Sequence, residues 1–186
     1  DVVQGFAIFF SMISRDGSQL LGSTFCGGSG NDGINEEIYY KYGDNYRGEV
    51  ILTDNGDIAV LSTTKSTNVP LIGNNSQNRN QNSQDALIGV FNSDLSKLRW
   101  GRYYGDLQNE TGYALKTFGN KLYITGSTQS SNLQVHAGSY KEIAPGDLDA
   151  YIASFSLSTG DFEAATYFGT VGKDKYFLMD IDFEGT

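Results

Sequence analysis

Few residues in this chain are of a type that does chemistry. A single histidine, His136, stands in a long polar loop, and a single cysteine, Cys26, sits among apolar neighbours. A hydrolase triad needs a nucleophilic serine, a histidine and a carboxylate within hydrogen-bond reach, and no serine here lies in a nucleophile-elbow pattern. Asp180 and Asp182 share one face of a strand, because alternate strand residues point the same way. A glycosidase needs two carboxylates roughly 5–10 Å apart across its substrate, and simple alternation on a half-exposed strand accounts for this pair. The segments "GNDGIN" (30–35) and "TDNGD" (53–57) put oxygen ligands beside glycine. Neither has the spacing or the bidentate glutamate of a calcium loop, and turn chemistry explains both. The expectation is a protein that is not an enzyme, with no cofactor and no metal.

Recognition is the remaining chemistry. Tyr39, Tyr40, Tyr42 and Tyr46 cluster within "GSGNDGINEEIYYKYGDNYR" (28–47), among Asp32, Glu36, Glu37 and Asp44. Tyrosine offers rigid, amphipathic contact area to a protein or a glycan, so these four are the candidate binding residues. The competing reading is that they pack the loop onto its own sheet. The formal charge of −9, with 13 basic residues in 186, argues against a nucleic-acid partner. No segment approaches the roughly 20 apolar residues of a membrane-spanning helix.

The elements that must hold these residues are strands. Tyr 12, Phe 11 and Gly 23 against Pro 2 is a strand-and-turn composition, and residues such as 86–91 and 122–125 alternate with the strand period of two. The chain also repeats itself. "AIFFSMISRDGSQLLGSTFCG" (7–27), "DALIGVFNSDLSKLRWGRYYG" (85–105) and "DAYIASFSLSTGDFEAATYFG" (149–169) align without a gap. "GEVILTDNGDIAVLSTTKSTN" (48–68) likewise aligns with "GYALKTFGNKLYITGSTQSSN" (112–132), and 176–186 begins the same passage again. Each copy reads as four strands, with hairpin turns rich in Asp-Gly, Asn-Gly and Gly-Asn. The copies span 7–84, 85–148 and an incomplete 149–186. The first exceeds the second by a loop insertion between Gly27 and Gly48.

Four-stranded antiparallel units repeated along a chain predict an all-β fold, a β-propeller segment of about two and a half four-stranded antiparallel blades. A sandwich or open barrel is the competing architecture. Propellers typically carry 4–8 blades, so one propeller region over 1–186, part of a larger protein, is expected. Tight turns 1→2 and 3→4 share one end of each unit and the long connections share the other, which makes the long-loop end the first place to look for function. Cys26 aligns with Tyr104 and Phe168, and Trp100 with Gly22 and Ala164. Both are expected to fill space between sheets.

Asp85, Ala86, Trp100, Tyr103, Tyr104, Gly105, Gly119, Asn120, Tyr123, Thr125, Gly126, Thr128 and Ser130 occupy the positions of a known pattern. The second copy resembles the SBBP-type β-propeller repeat of large secreted bacterial proteins over nearly its whole length. The first copy departs from it, with Ala7 for the opening Asp and "IAVLSTTKS" for the ending. The resemblance implies an extracellular or cell-surface protein, associated with the bacterial outer membrane and similar to exported Bacteroidota proteins routed by type IX secretion. It implies no catalytic motif. The sialidase turn S-x-D-x-G-x-T-W is not met either: in "NSDLSKLRW" (92–100) the tryptophan comes one place late and Ser96 replaces the glycine. The resulting expectation is a non-enzymatic scaffold or protein-binding module with a protein partner. The alternative is a glycan-binding or glycan-processing exoprotein whose active residues lie on other blades.

Overall fold

The computed structural model describes residues 5–38, 45–73, 83–174 and 179–180. Alternating sequence becomes alternating burial in the first strand, β1 (Ile8–Ile13), whose side chains are half-buried and exposed in turn. The other strands are β2 (Leu20–Cys26), β3 (Glu49–Leu52), β4 (Ile58–Thr64), β5 (Asp85–Phe91), β6 (Leu98–Tyr104), β7 (Ala114–Phe118), β8 (Lys121–Thr128), β9 (Asp149–Ser156) and β10 (Phe162–Phe168). The fold is all-β, and no helix among the described residues is long and apolar enough to cross a membrane.

The strands form three antiparallel sheets: β1–β2, β3–β4–β5–β6 and β7–β8–β9–β10. Each four-stranded sheet therefore takes two strands from one sequence copy and two from the next. The join is a full ladder, running from Ile58 opposite Phe91 to Thr64 opposite Asp85, and again from Lys121 opposite Ser156 to Thr128 opposite Asp149. The sheets break instead between β2 and β3 and between β6 and β7, inside a copy. A repeated sequence aligns equally well in any frame; only hydrogen bonding decides where one sheet ends.

A second difference is the register of the third-to-fourth hairpins. β3 and β4 pair with Leu52 opposite Ile58, closed by a turn in which Thr53 N–H donates to Asp57 O at 2.9 Å. β7 and β8 pair with Phe118 opposite Lys121, leaving only Gly119 and Asn120 between them. The shorter turn moves the pairing by one residue, which turns a whole strand over. Ile51 consequently packs toward the third sheet, whereas its aligned residue Leu115 packs toward the second.

The sheets stack face on face. Ile8, Phe10, Met12 and Cys26 of the hairpin cover Ile58, Val60, Leu87 and Phe91 of the middle sheet. The opposite face of that sheet, with Leu61, Ile88, Trp100 and Tyr104, covers Leu122, Ile124, Tyr151 and Phe155. Two covered faces explain why β4 and β5 are buried along their whole length, as strands inside a layered stack must be. The β5–β6 turn has no glycine, and Leu95 takes a positive φ of 61° there. Its buried side chain in the core between the first two sheets offsets that strain.

Candidate functional site

At the end of the sheets that carries the long connections, polar side chains are bonded to one another. A carboxylate stands five residues after each of Gly27, Gly105 and Gly169: Asp32, Glu110 and Asp174. Each accepts from the N–H of the residue following its glycine, Gly28 at 2.8 Å, Asp106 at 2.9 Å and Thr170 at 2.6 Å. The first two also hold the end of the neighbouring strand. Asp32 accepts from the hydroxyls of Thr64 and Ser66, and Glu110 from Thr128 Oγ1 at 2.6 Å. Thr64 and Thr128 in turn accept from the N–H groups of Ser66 and Ser130, each at 2.9 Å. A Cβ at Gly105 would collide with the carboxylates of both Asp85 and Glu110. These acids are latches that tie connections to strand ends; the five-residue spacing from the glycine was a readable signal in the sequence.

Burial raises the Glu110 carboxyl to about 8, with the Asp85 charge adding to the effect and the hydrogen bonds from Thr128, Ser130 and Asp106 opposing it. The folded protein thus keeps this proton at neutral pH while the unfolded chain releases it near 4.5. The stabilisation is complete below about 4.5 and is lost as pH rises to about 8. Urea unfolding across that window should show stability falling with a slope of up to about 1.4 kcal/mol per pH unit from this group. Glu110→Gln should remove that slope, and an unchanged slope would mean that the group does not titrate in this way.

The insertion docks through the same end. Gln84 Nε2–H donates to Asn35 Oδ1 at 2.9 Å and to Glu110 O at 3.0 Å, while its Oε1 accepts from Glu36 N–H at 2.8 Å. Lys65 pairs with Glu36 at 3.1 Å and with Glu37. Tyr39, Tyr40 and Tyr42 lie outside the described residues. Tyr46 is 73% exposed and reaches a different place, the cleft between β1 and β3.

The remaining candidates for chemistry are dispersed. His136 is exposed, and its N–H donates to Ala165 O at 3.1 Å. Asp180 is exposed and lies 4.0 Å from Lys116, while Asp182 is outside the described residues. Asp57 of the second glycine-containing turn pairs with Arg99 at 2.9 Å. No group of three or more His, Cys, Asp or Glu among the described residues is arranged to hold a metal. Cys26 is buried, and burial, with the Asp32 charge adding, pushes its thiol up to about 12, so the reactive thiolate is suppressed. Trp100 fills the space between the second and third sheets.

The open feature is a groove along β1. In the other sheets the corresponding strands, β5 and β9, are hydrogen-bonded on both edges, by β4 and β6 and by β8 and β10. Among the described residues β1 pairs only with β2, so alternate N–H and C=O groups of β1 point into the groove. Two adjoining cavities of about 420 Å³ and about 530 Å³ follow this edge and share Phe9, Phe10 and Val50. Val50 and Leu52 of β3 form the floor and are 57% and 73% exposed. Phe6 and Tyr46 stand at one end, and Ile13 and Leu95 at the other. The register of β3 matters here, because it aims Val50 and Leu52 at the groove beside Val60 and Ile58.

Searches against family models and curated proteins return no match for this chain.

Proposed function

We propose that this chain is a non-enzymatic protein-binding scaffold that captures an extended polypeptide along the edge of β1 that no described strand pairs. The observation that carries this reading is the combination of an exposed apolar floor with a strand edge that no described strand pairs. An incoming strand would satisfy the backbone groups of β1 and lay alternate side chains on Val50 and Leu52, the mode known as β-strand addition. The molecule already does this internally, where β4 pairs with β5 and packs on the third sheet. Blades of a propeller, a likeness to the SBBP-type repeat and a secreted or cell-surface setting belong to the same proposal. They are supported by the internal sequence pattern and by the stacking of similar sheets.

The test is a library of short extended peptides with alternating apolar residues, scored for binding and for amide hydrogen exchange of the chain. Bound peptide should slow exchange within 8–13, and Val50→Asp should weaken binding at least about tenfold. Binding that leaves the β1 amides unprotected, or no binding by any peptide, would remove this reading. A glycan-array signal lost in Tyr46→Ala would put the glycan reading in its place.

A further inference from the structure

The outer faces of the first and last sheets correspond, by sequence alignment, to the two halves of the interface that the second and third sheets form within the chain. On the hairpin, the face turned away from the middle sheet carries Phe9, Ile13, Leu20 and Phe25, all more than half exposed, with the Phe9 and Phe25 rings 5.1 Å apart. Strand β1 is thus apolar on both faces, which is the pattern of a strand covered on both. By sequence alignment these residues match Tyr151, Phe155, Phe162 and Tyr167 of the third sheet. That set packs on the middle sheet, with the Tyr104 ring tilted against Tyr151, edge-on to Phe155 and stacked with Phe162, at 5.2, 5.5 and 6.3 Å between centres.

The outer face of the third sheet presents the opposite half. Ile152, Ala164, Thr166 and Phe168 match Ile88, Trp100, Arg102 and Tyr104, the residues of the middle sheet that cover the third. A cavity of about 300 Å³, lined by Tyr123, Ile152, Ala164 and Thr166, opens on this face. Ala164 stands in place of Trp100, which leaves a hollow where the tryptophan ring would lie.

We propose that copies of this chain associate head to tail, the outer face of β8–β9–β10 of one copy packing on the outer β1–β2 face of the next. The occupant is a second copy because each face has, within the same chain, the partner that the established stacking pairs with it. The two faces differ, so the contact is heterologous and continues into longer assemblies or a closed ring. Ala164 and Thr166 lack the donors by which Trp100 and Arg102 reach Leu157 O and Gly160 O, each at 2.7 Å. The association therefore lacks two of the hydrogen bonds of the internal interface and is concentration-dependent. The surface shares Phe9 and Ile13 with the rim of the β1 groove, but Phe25 lies outside the groove and Val50 lies within it.

Sedimentation velocity on the 186-residue chain, from about 1 to about 200 μM, spans the affinities expected of a weak interface. Mass should rise with concentration, and Phe25→Asp should weaken association at least about tenfold while Val50→Asp leaves it unchanged. Trp100 lies against Gly160, and the matching positions across the new contact are 164 and 18. Oxidation of Ala164→Cys/Ser18→Cys should join copies covalently, whereas neither single variant should. A mass that stays monomeric throughout overturns the proposal and leaves these faces to other sheets. Cross-linking by either single variant overturns the head-to-tail arrangement.

Discussion

Trp100→Ala is expected to destabilise the fold by about 3–5 kcal/mol, the usual cost of truncating a buried tryptophan. Trp100 is 3% exposed and belongs to the core between the second and third sheets. Its indole N–H donates to Leu157 O at 2.7 Å, and its ring is in close contact with the backbone of Gly160. Beside it, Arg102 donates to Gly160 O at 2.7 Å with its guanidinium 4.7 Å from the Phe155 ring centre. The alanine variant loses the ring and leaves a cavity against this turn. Trp100→Phe keeps most of the packing and loses the hydrogen bond, at about 1 kcal/mol. Urea unfolding of the three proteins separates the contributions. An alanine variant within about 1 kcal/mol of the parent would show that the sheets do not depend on this strut.

Gly126→Ala should cost about 3 kcal/mol or more, because the new atom has nowhere to go. Its Cβ would land on the carbonyl oxygen of Thr111 and within 2.8 Å of Tyr151 Oη. Neither can move cheaply. Tyr151 O–H donates to Thr111 O at 2.7 Å, and Thr111 exchanges backbone and side-chain bonds with Ser127. Gly172→Ala is the control, meeting only Thr170 Oγ1 at 3.3 Å, with an expected effect within about 0.5 kcal/mol. Thermal melts compare the two directly; equal melting temperatures would refute the close backbone approach at Gly126.

The role of Gly126 marks how far sequence reasoning reached. Its place in a recurring pattern was visible, and so was its aligned residue Ser62 in the first copy. The reason for it was not, since the carbonyl it makes room for comes from a different connection. Glu110 is similar: its spacing from Gly105 could be read, but its burial and its bond to Thr128 come from two separate segments meeting. Of the four tyrosines in the insertion, Tyr46 reaches an open groove, and the other wall of that groove, with Phe9, comes from a strand far from it in sequence.

By itself the sequence determined the local content of the fold. Alternation placed the strands, and Asp-Gly, Asn-Gly and Gly-Asn placed the turns between them, because side-chain direction and backbone φ are local properties. Gap-free repetition likewise showed that Cys26, Tyr104 and Phe168 occupy equivalent strand positions. Tertiary structure alone decided where one sheet ends and the next begins, since a repeated pattern is the same in every frame. It also decided that β3 turns Val50 and Leu52 toward the groove, because one residue of turn length reverses a strand's faces. Finally, among the described residues it left β1 paired on one edge where β5 and β9 are paired on two. An edge strand and a central strand share one sequence pattern and differ only in their neighbours.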